Sequence, residues 1–170
     1  MTDSERVDIV IIDANILINL FHIGRLDLLG KLPGYRFLAP EQVIDEITVP
    51  AQKQAIQEAL QQGWLDLTML TSHTEIQDYA VLRKTLDRGE SACLAAAGNR
   101  GCLVACDERG GAFKRAVKSR LGSDAVLRTP DLIIATIHAG LATVVEADEW
   151  KAVLERNRFK MRFESFEEMV

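Results

Sequence analysis

The chain has 170 residues, 48% hydrophobic and 26% charged, with eleven glycines and four prolines. This is ordinary globular usage: it excludes collagen-like, low-complexity and disordered chains and suits one domain with a sizeable core better than two. Twenty Lys and Arg against twenty-five Asp and Glu give a net charge of −5, so no overall positive field draws in nucleic acid or an anionic membrane, and an anionic substrate needs a local basic patch or a metal.

The polar, acidic start MTDSERVD is unlike a secretory signal, and no apolar stretch is long enough to span a bilayer. A cytoplasmic protein is expected. Val7 to Ile12 is apolar and β-branched apart from Asp8, the pattern of a strand buried on both faces of a parallel sheet. The stripe Ile16, Leu17, Leu20, Ile23 then predicts a helix, and Leu26 to Leu29 a short amphipathic turn. Arg36 to Ala39 is a second strand. Pro40 opens a helix carrying Val43, Ile44 and Ile47; Pro50 ends it, and a Gln-rich helix follows from Ala51 to Gln62. Strands at Leu65 to Leu70, Cys102 to Cys106 and Ala125 to Leu127 alternate with helices at Thr74 to Leu86, Glu90 to Asn99 and Gly110 to Leu121. Thr129, Pro130 and Asp131 read as the N-cap, first-position proline and first-turn acid of a helix through His138. Ala147 to Arg156 is the last helix, and the tail from Arg158 is either an edge strand or a loosely docked end. The alternation predicts a single α/β domain over 1–170, with a central parallel sheet of about five strands flanked by helices, a core of about 7–141 and a C-terminal helix and tail at 142–170.

Ligands in open parallel sheets sit outside the carboxyl ends of the strands. Asp13 and Asp107 each follow a strand there, although a cap is the plain alternative for either. Glu46 follows Val43 on the helix after the second strand, and Glu90 opens a helix of small apolar residues, Ala92 to Ala97, that should be buried. Four converging carboxylates repel by roughly 4 kcal/mol per pair at about 4 Å unless a counter-charge sits among them. Mg²⁺ or Mn²⁺ suits an all-oxygen site and supports phosphodiester hydrolysis. Zinc does not fit: Cys93, Cys102 and Cys106 form no CxxC pair and read as reduced core thiols, and His22, His73 and His138 lack ligand spacing.

Ile11-Ile12-Asp13-Ala14-Asn15 resembles the opening of PIN-domain proteins. Ala39-Pro40-Glu41-Gln42-Val43-Ile44-Asp45-Glu46-Ile47 resembles their proline, hydrophobic and Glu segment. Leu86-Asp87-Arg88-Gly89-Glu90-Ser91-Ala92 is similar to the Gly-Glu-Ala helix start of one subfamily, and Val104-Ala105-Cys106-Asp107 to the later strand and acid, with Ala105-Cys106 where Thr or another polar residue is usual. The resemblance implies a metal-dependent endoribonuclease, VapC-like, often the toxin of a toxin–antitoxin pair and often homodimeric. It places Asp13, Glu46, Glu90 and Asp107 at the acidic catalytic and metal positions and Asn15 at a supporting polar one.

Arg109, Lys114, Arg115, Lys118 and Arg120 give five cations and no acid just after Asp107, a candidate grip on RNA phosphates. Arg109, Lys114, Arg115 and Lys118 are the expected contacts. Arg156, Arg158, Lys160 and Arg162 interleave Phe159 and Phe163, which either stack on bases or pack on the core. Two other functions stay open: a catalytically inactive module of the same fold that binds RNA or a protein, and a phosphotransfer domain phosphorylated on Asp13 or Asp107. The second lacks the carboxylate two positions after either Asp that such chemistry commonly uses.

Overall fold

The computed structural model describes residues 6–170; Met1 to Glu5, most of the polar start, lie outside the described residues. Strands β1 (Asp8–Ile12), β2 (Tyr35–Pro40), β3 (Asp66–Thr68), β4 (Leu103–Ala105) and β5 (Val126–Leu127) form one all-parallel sheet in the order β3-β2-β1-β4-β5. Helices α1 (Ala14–His22), α2 (Leu28–Lys31), α3 (Glu41–Glu46), α4 (Pro50–Gln61), α5 (His73–Leu82), α6 (Arg88–Arg100), α7 (Gly111–Arg120), α8 (Thr129–His138) and α9 (Val144–Arg156) connect and flank it. This is the single α/β domain that the alternation predicts.

β1 is central because both of its faces are apolar: Val10, Ile11 and Ile12 are fully buried. It pairs Val10 with Phe37 on one side and Ile12 with Ala105 on the other. The chain moves outward from β1 through β2 to β3, then returns to the opposite side of β1 for β4 and β5. The reversal leaves a crevice beyond the carboxyl ends of β1 and β4, where ligands of such sheets bind. α6 lies against β1, β2 and β4, and every residue from Gly89 to Ala97 is buried. Its small side chains allow that close approach, and Gly101, in the left-handed region at φ 66°, ends it.

Several boundaries differ from the sequence pattern. Pro50 does not end α3, which stops at Glu46; it is the first residue of α4, where its missing N–H costs nothing. α5 stops at Leu82, and the backbone turns before α6. Arg128 is the N-cap of α8 and Thr129 its first residue, because the Arg128 N–H, not a Thr129 cap, bonds Asp131 at 2.8 Å. The tail forms no strand. It ends in a 3-10 turn, Phe166–Glu168, held where Asp148 accepts the Ser165 hydroxyl at 2.7 Å and the Phe166 N–H at 2.8 Å. Phe166 is fully buried in a second cluster with Leu28, Ile133, Trp150 and Leu154, against which Phe159 and Phe163 pack. Those two aromatics therefore pack against the core, each remaining partly exposed.

Candidate active site

Asp13 is placed by sheet pairing. Its N–H donates to the Ala105 carbonyl at 2.9 Å, extending the β1–β4 ladder by one residue into the crevice. The side chain is only 4% exposed. Its Oδ2 accepts the Cys106 thiol at 3.4 Å, while Oδ1 is buried with no partner. Burial pushes the carboxyl up to about 7, opposed by the Ala14 N–H and the Cys106 thiol and reinforced by the charges of Asp87 and Glu46.

Glu46, at the end of α3, reaches the start of α6, where its Oε1 accepts the Gly89 N–H at 2.7 Å. That amide is one of the unsatisfied donors of a helix N-terminus, where the dipole also favours an anion. A Cβ on Gly89 would lie 2.5 Å from Glu46 Oε2 and 2.9 Å from Asp13 Oδ1. The two carboxylates thus meet over a backbone position that only glycine leaves open. Burial raises the Glu46 carboxyl, with the Gly89 N–H opposing and the Asp87 charge adding to the rise.

Glu90 is held by a capping box: its N–H donates to Asp87 Oδ1 at 2.8 Å, and its Oε2 accepts the Asp87 N–H at 3.4 Å. Burial first, and then the charges of Asp87, Glu108 and Asp13, push its carboxyl up to about 8. Asp107 stands on a different footing. Its Oδ1 accepts the Thr129 N–H at 2.9 Å, and its Oδ2 accepts the Thr129 hydroxyl at 2.6 Å and the Asn19 amide at 3.0 Å. Burial raises it despite these donors. Asn15 accepts the Asp107 N–H at 3.5 Å, so it braces the backbone at that acid.

The structure therefore brings Asp13, Glu46 and Glu90 together, with Asp107 beside them at the end of the neighbouring strand. It adds Asp87, whose charge acts on all three of the first group, and Glu108, which faces Glu90 and takes the Arg109 and Gly110 N–H groups at 2.8 and 2.6 Å. It also adds Asn19 and Thr129. Asn19 is legible as a polar residue inside the stripe Ile16, Leu17, Leu20, one turn beyond Asn15. Asp87 is legible as the acid three residues before Glu90.

A family profile described as a PIN domain matches residues 9–123. The chain belongs to the PIN-domain family. Comparison with curated proteins and with solved structures gave no significant match. PIN domains are typically nucleases that use divalent metals, and the matched span carries Asp13, Glu46, Asp87, Glu90 and Asp107. Arg128 and Thr129, which complete the surroundings of Asp107, lie beyond it.

The residues of this PIN domain fit such a cation in donor type. All the acids offer hard oxygen, Asp13 Oδ1 is a buried acceptor without a donor, and the missing Cβ of Gly89 lets Glu46 Oε2 and Asp13 Oδ1 approach over the same position. Among the described residues, no three His, Cys, Asp or Glu side chains close into a coordination group. Burial first, and the neighbouring acidic charges second, raise the carboxyls of Asp13, Glu46 and Glu90. Burial drives the thiols of Cys93 and Cys106 well up.

The basic segment of the PIN domain divides between two faces. Lys114 and Lys118, one turn apart on α7, line a cavity of about 410 Å³ with Phe113, Val117 and Arg128. Arg115 lines another of about 460 Å³, with Lys84 and Arg120. Arg109 is exposed in the loop before α7. No helix among the described residues is long and apolar enough to cross a membrane.

Proposed function

We propose that this chain is a Mg²⁺- or Mn²⁺-dependent endoribonuclease of the cytoplasm and the toxin of a toxin–antitoxin pair. The observation that carries the hydrolytic reading is the meeting of Asp13 Oδ1, buried and unpartnered, with Glu46 over Gly89. Asp13, Glu46 and Glu90 would hold the cation, with Asp107 on its flank. When bound, it would neutralise charge at the phosphate and acidify a water molecule. Burial and the neighbouring acids raise the Glu90 carboxyl, so cation binding there competes with its proton. Asp107, fixed by Asn19 and Thr129, orients without needing to move, and the Asn15 amide stays beside it.

Cleavage of total RNA and of single-stranded RNA and DNA oligonucleotides, with Mn²⁺ and with chelator, tests this reading. Metal-dependent cuts in RNA are expected, and none in any condition would remove it. An antitoxin fits the same crevice: an inserted Arg or Lys would pair with Asp13 and Glu90 in place of the cation. Slowed growth on expressing the chain alone supports that role, while unaffected growth alongside nuclease activity in vitro removes it. A homodimer is part of the proposal, and exposed Leu67, Met69 and Ile76 give it apolar surface; sedimentation measures it.

The saturation of Asp107 by Asn19 and Thr129 favours a second reading, a non-catalytic PIN module that binds RNA or a protein. Mn²⁺ affinity separates the two, because a non-catalytic module has no need to hold the metal.

A further inference from the structure

Beside the carboxylate crevice lies the cavity of about 410 Å³ between α7 and β5, within the roughly 300–1,000 Å³ of small-molecule sites. Its floor is apolar, from Phe113, Val117 and Val126, and its rim carries three cations, Lys114, Lys118 and Arg128, with no acid among the lining residues. None of the three takes part in a salt bridge among the described residues. Arg128 joins the cavity to the acidic site: its Nη1 donates to the Glu108 carbonyl at 2.9 Å and the Cys106 carbonyl at 3.4 Å, on either side of Asp107.

We infer that this cavity is a nucleotide subsite, taking one base and its phosphate from the RNA strand whose scissile phosphate lies at the carboxylates. The inference rests on the ribonuclease reading and names how the substrate is gripped. A polyanion is repelled by the crevice of Asp13, Asp87 and Glu90, so it needs cations within a nucleotide or so of the cut, and Lys114, Lys118 and Arg128 supply them. The apolar floor suits the face of an unpaired base, and a guanidinium at the rim adds a second surface on which a base stacks. An acidic peptide would satisfy the cations but would make no use of the carboxylates next to them. A single strand uses both.

The test is binding of a fluorescein-labelled oligouridylate to the full chain in chelator, followed by polarisation over a salt series. The doubly substituted Lys114→Ala/Lys118→Ala chain should bind several-fold more weakly, with its salt slope reduced by about 0.7 for each phosphate no longer held. Ser123→Trp, an exposed rim position, should fill the cavity and weaken binding while leaving the salt slope unchanged. Wild-type affinity and slope in the double variant, or wild-type affinity in Ser123→Trp, would overturn the subsite. Displacement of the oligouridylate by polyglutamate at equal charge would overturn it too, assigning the cavity to an acidic peptide. Cleavage with Mn²⁺ is scored separately. A chain that cuts RNA but shows no cavity dependence loses the subsite alone, and one that binds through the cavity but never cuts loses the nuclease reading alone.

Discussion

The thiol of Cys106 donates to Asp13 Oδ2 at 3.4 Å across the β1–β4 pair, leaving Oδ1 of the same carboxylate buried and free. One oxygen is tethered and the other waits for a partner that no protein donor supplies. Asp13→Asn keeps the shape and removes the charge. Metal-dependent cleavage should fall by about 100-fold or more, the scale of losing a preorganised charge. In chelator near pH 8 the variant should be more stable than wild type by about 1–2 kcal/mol, because a desolvated carboxylate is gone. Cleavage near the wild-type rate would show that Asp13 does not hold the metal, and a loss of stability would make it a structural cap.

Gly89 carries a second prediction. Alanine gains about 1 kcal/mol of helix propensity over glycine, yet its methyl would press on Glu46 Oε2 and Asp13 Oδ1. The clash should prevail, giving a net loss of about 1–3 kcal/mol together with weakened Mn²⁺ binding. Thermal unfolding in chelator and titration calorimetry with Mn²⁺ check the two effects separately.

Thr129 tests the positioning of Asp107. Thr129→Val removes the 2.6 Å hydroxyl donor and leaves the backbone one in place. It should cost about 1–2 kcal/mol of stability and lower kcat with little change in KM, and Thr129→Ser should restore both. Unfolding curves alongside steady-state cleavage decide it, and a loss confined to stability would make Thr129 a purely structural neighbour.

The pH dependence has a definite sign. Asp13 is raised from 3.8 to about 7 and Glu90 from 4.5 to about 8. An acid raised on folding keeps its proton in the native state after the unfolded chain has lost it, so the metal-free protein should lose stability as pH rises from about 4 to about 8 and then level off. Mn²⁺ should therefore stabilise more near pH 8 than near pH 5, and its binding near pH 7 should release protons. Calorimetry in buffers of different ionisation heat measures that release. Its absence would mean that the metal avoids Asp13 and Glu90.

Much of this protein is written locally. The β-branched run before Asp13 requires a doubly buried strand, the small residues after Glu90 require a buried helix, and alternation requires parallel strands whose acids share an edge. Such features depend on periodicity and on neighbours in the chain, which is why the five strands, Asp13, Glu90 and Asp107 are legible without coordinates. The partners of those acids are not. Cys106 meets Asp13 and Asn19 meets Asp107 because β4 pairs with β1, and Thr129 meets Asp107 because β5 pairs with β4; no local pattern encodes strand order. The division of the α7 cations between two cavities and the docking of Phe159, Phe163 and Phe166 were likewise decided by packing. Composition permits a basic face or a stacking aromatic, but burial against a particular neighbour selects which side chains reach solvent.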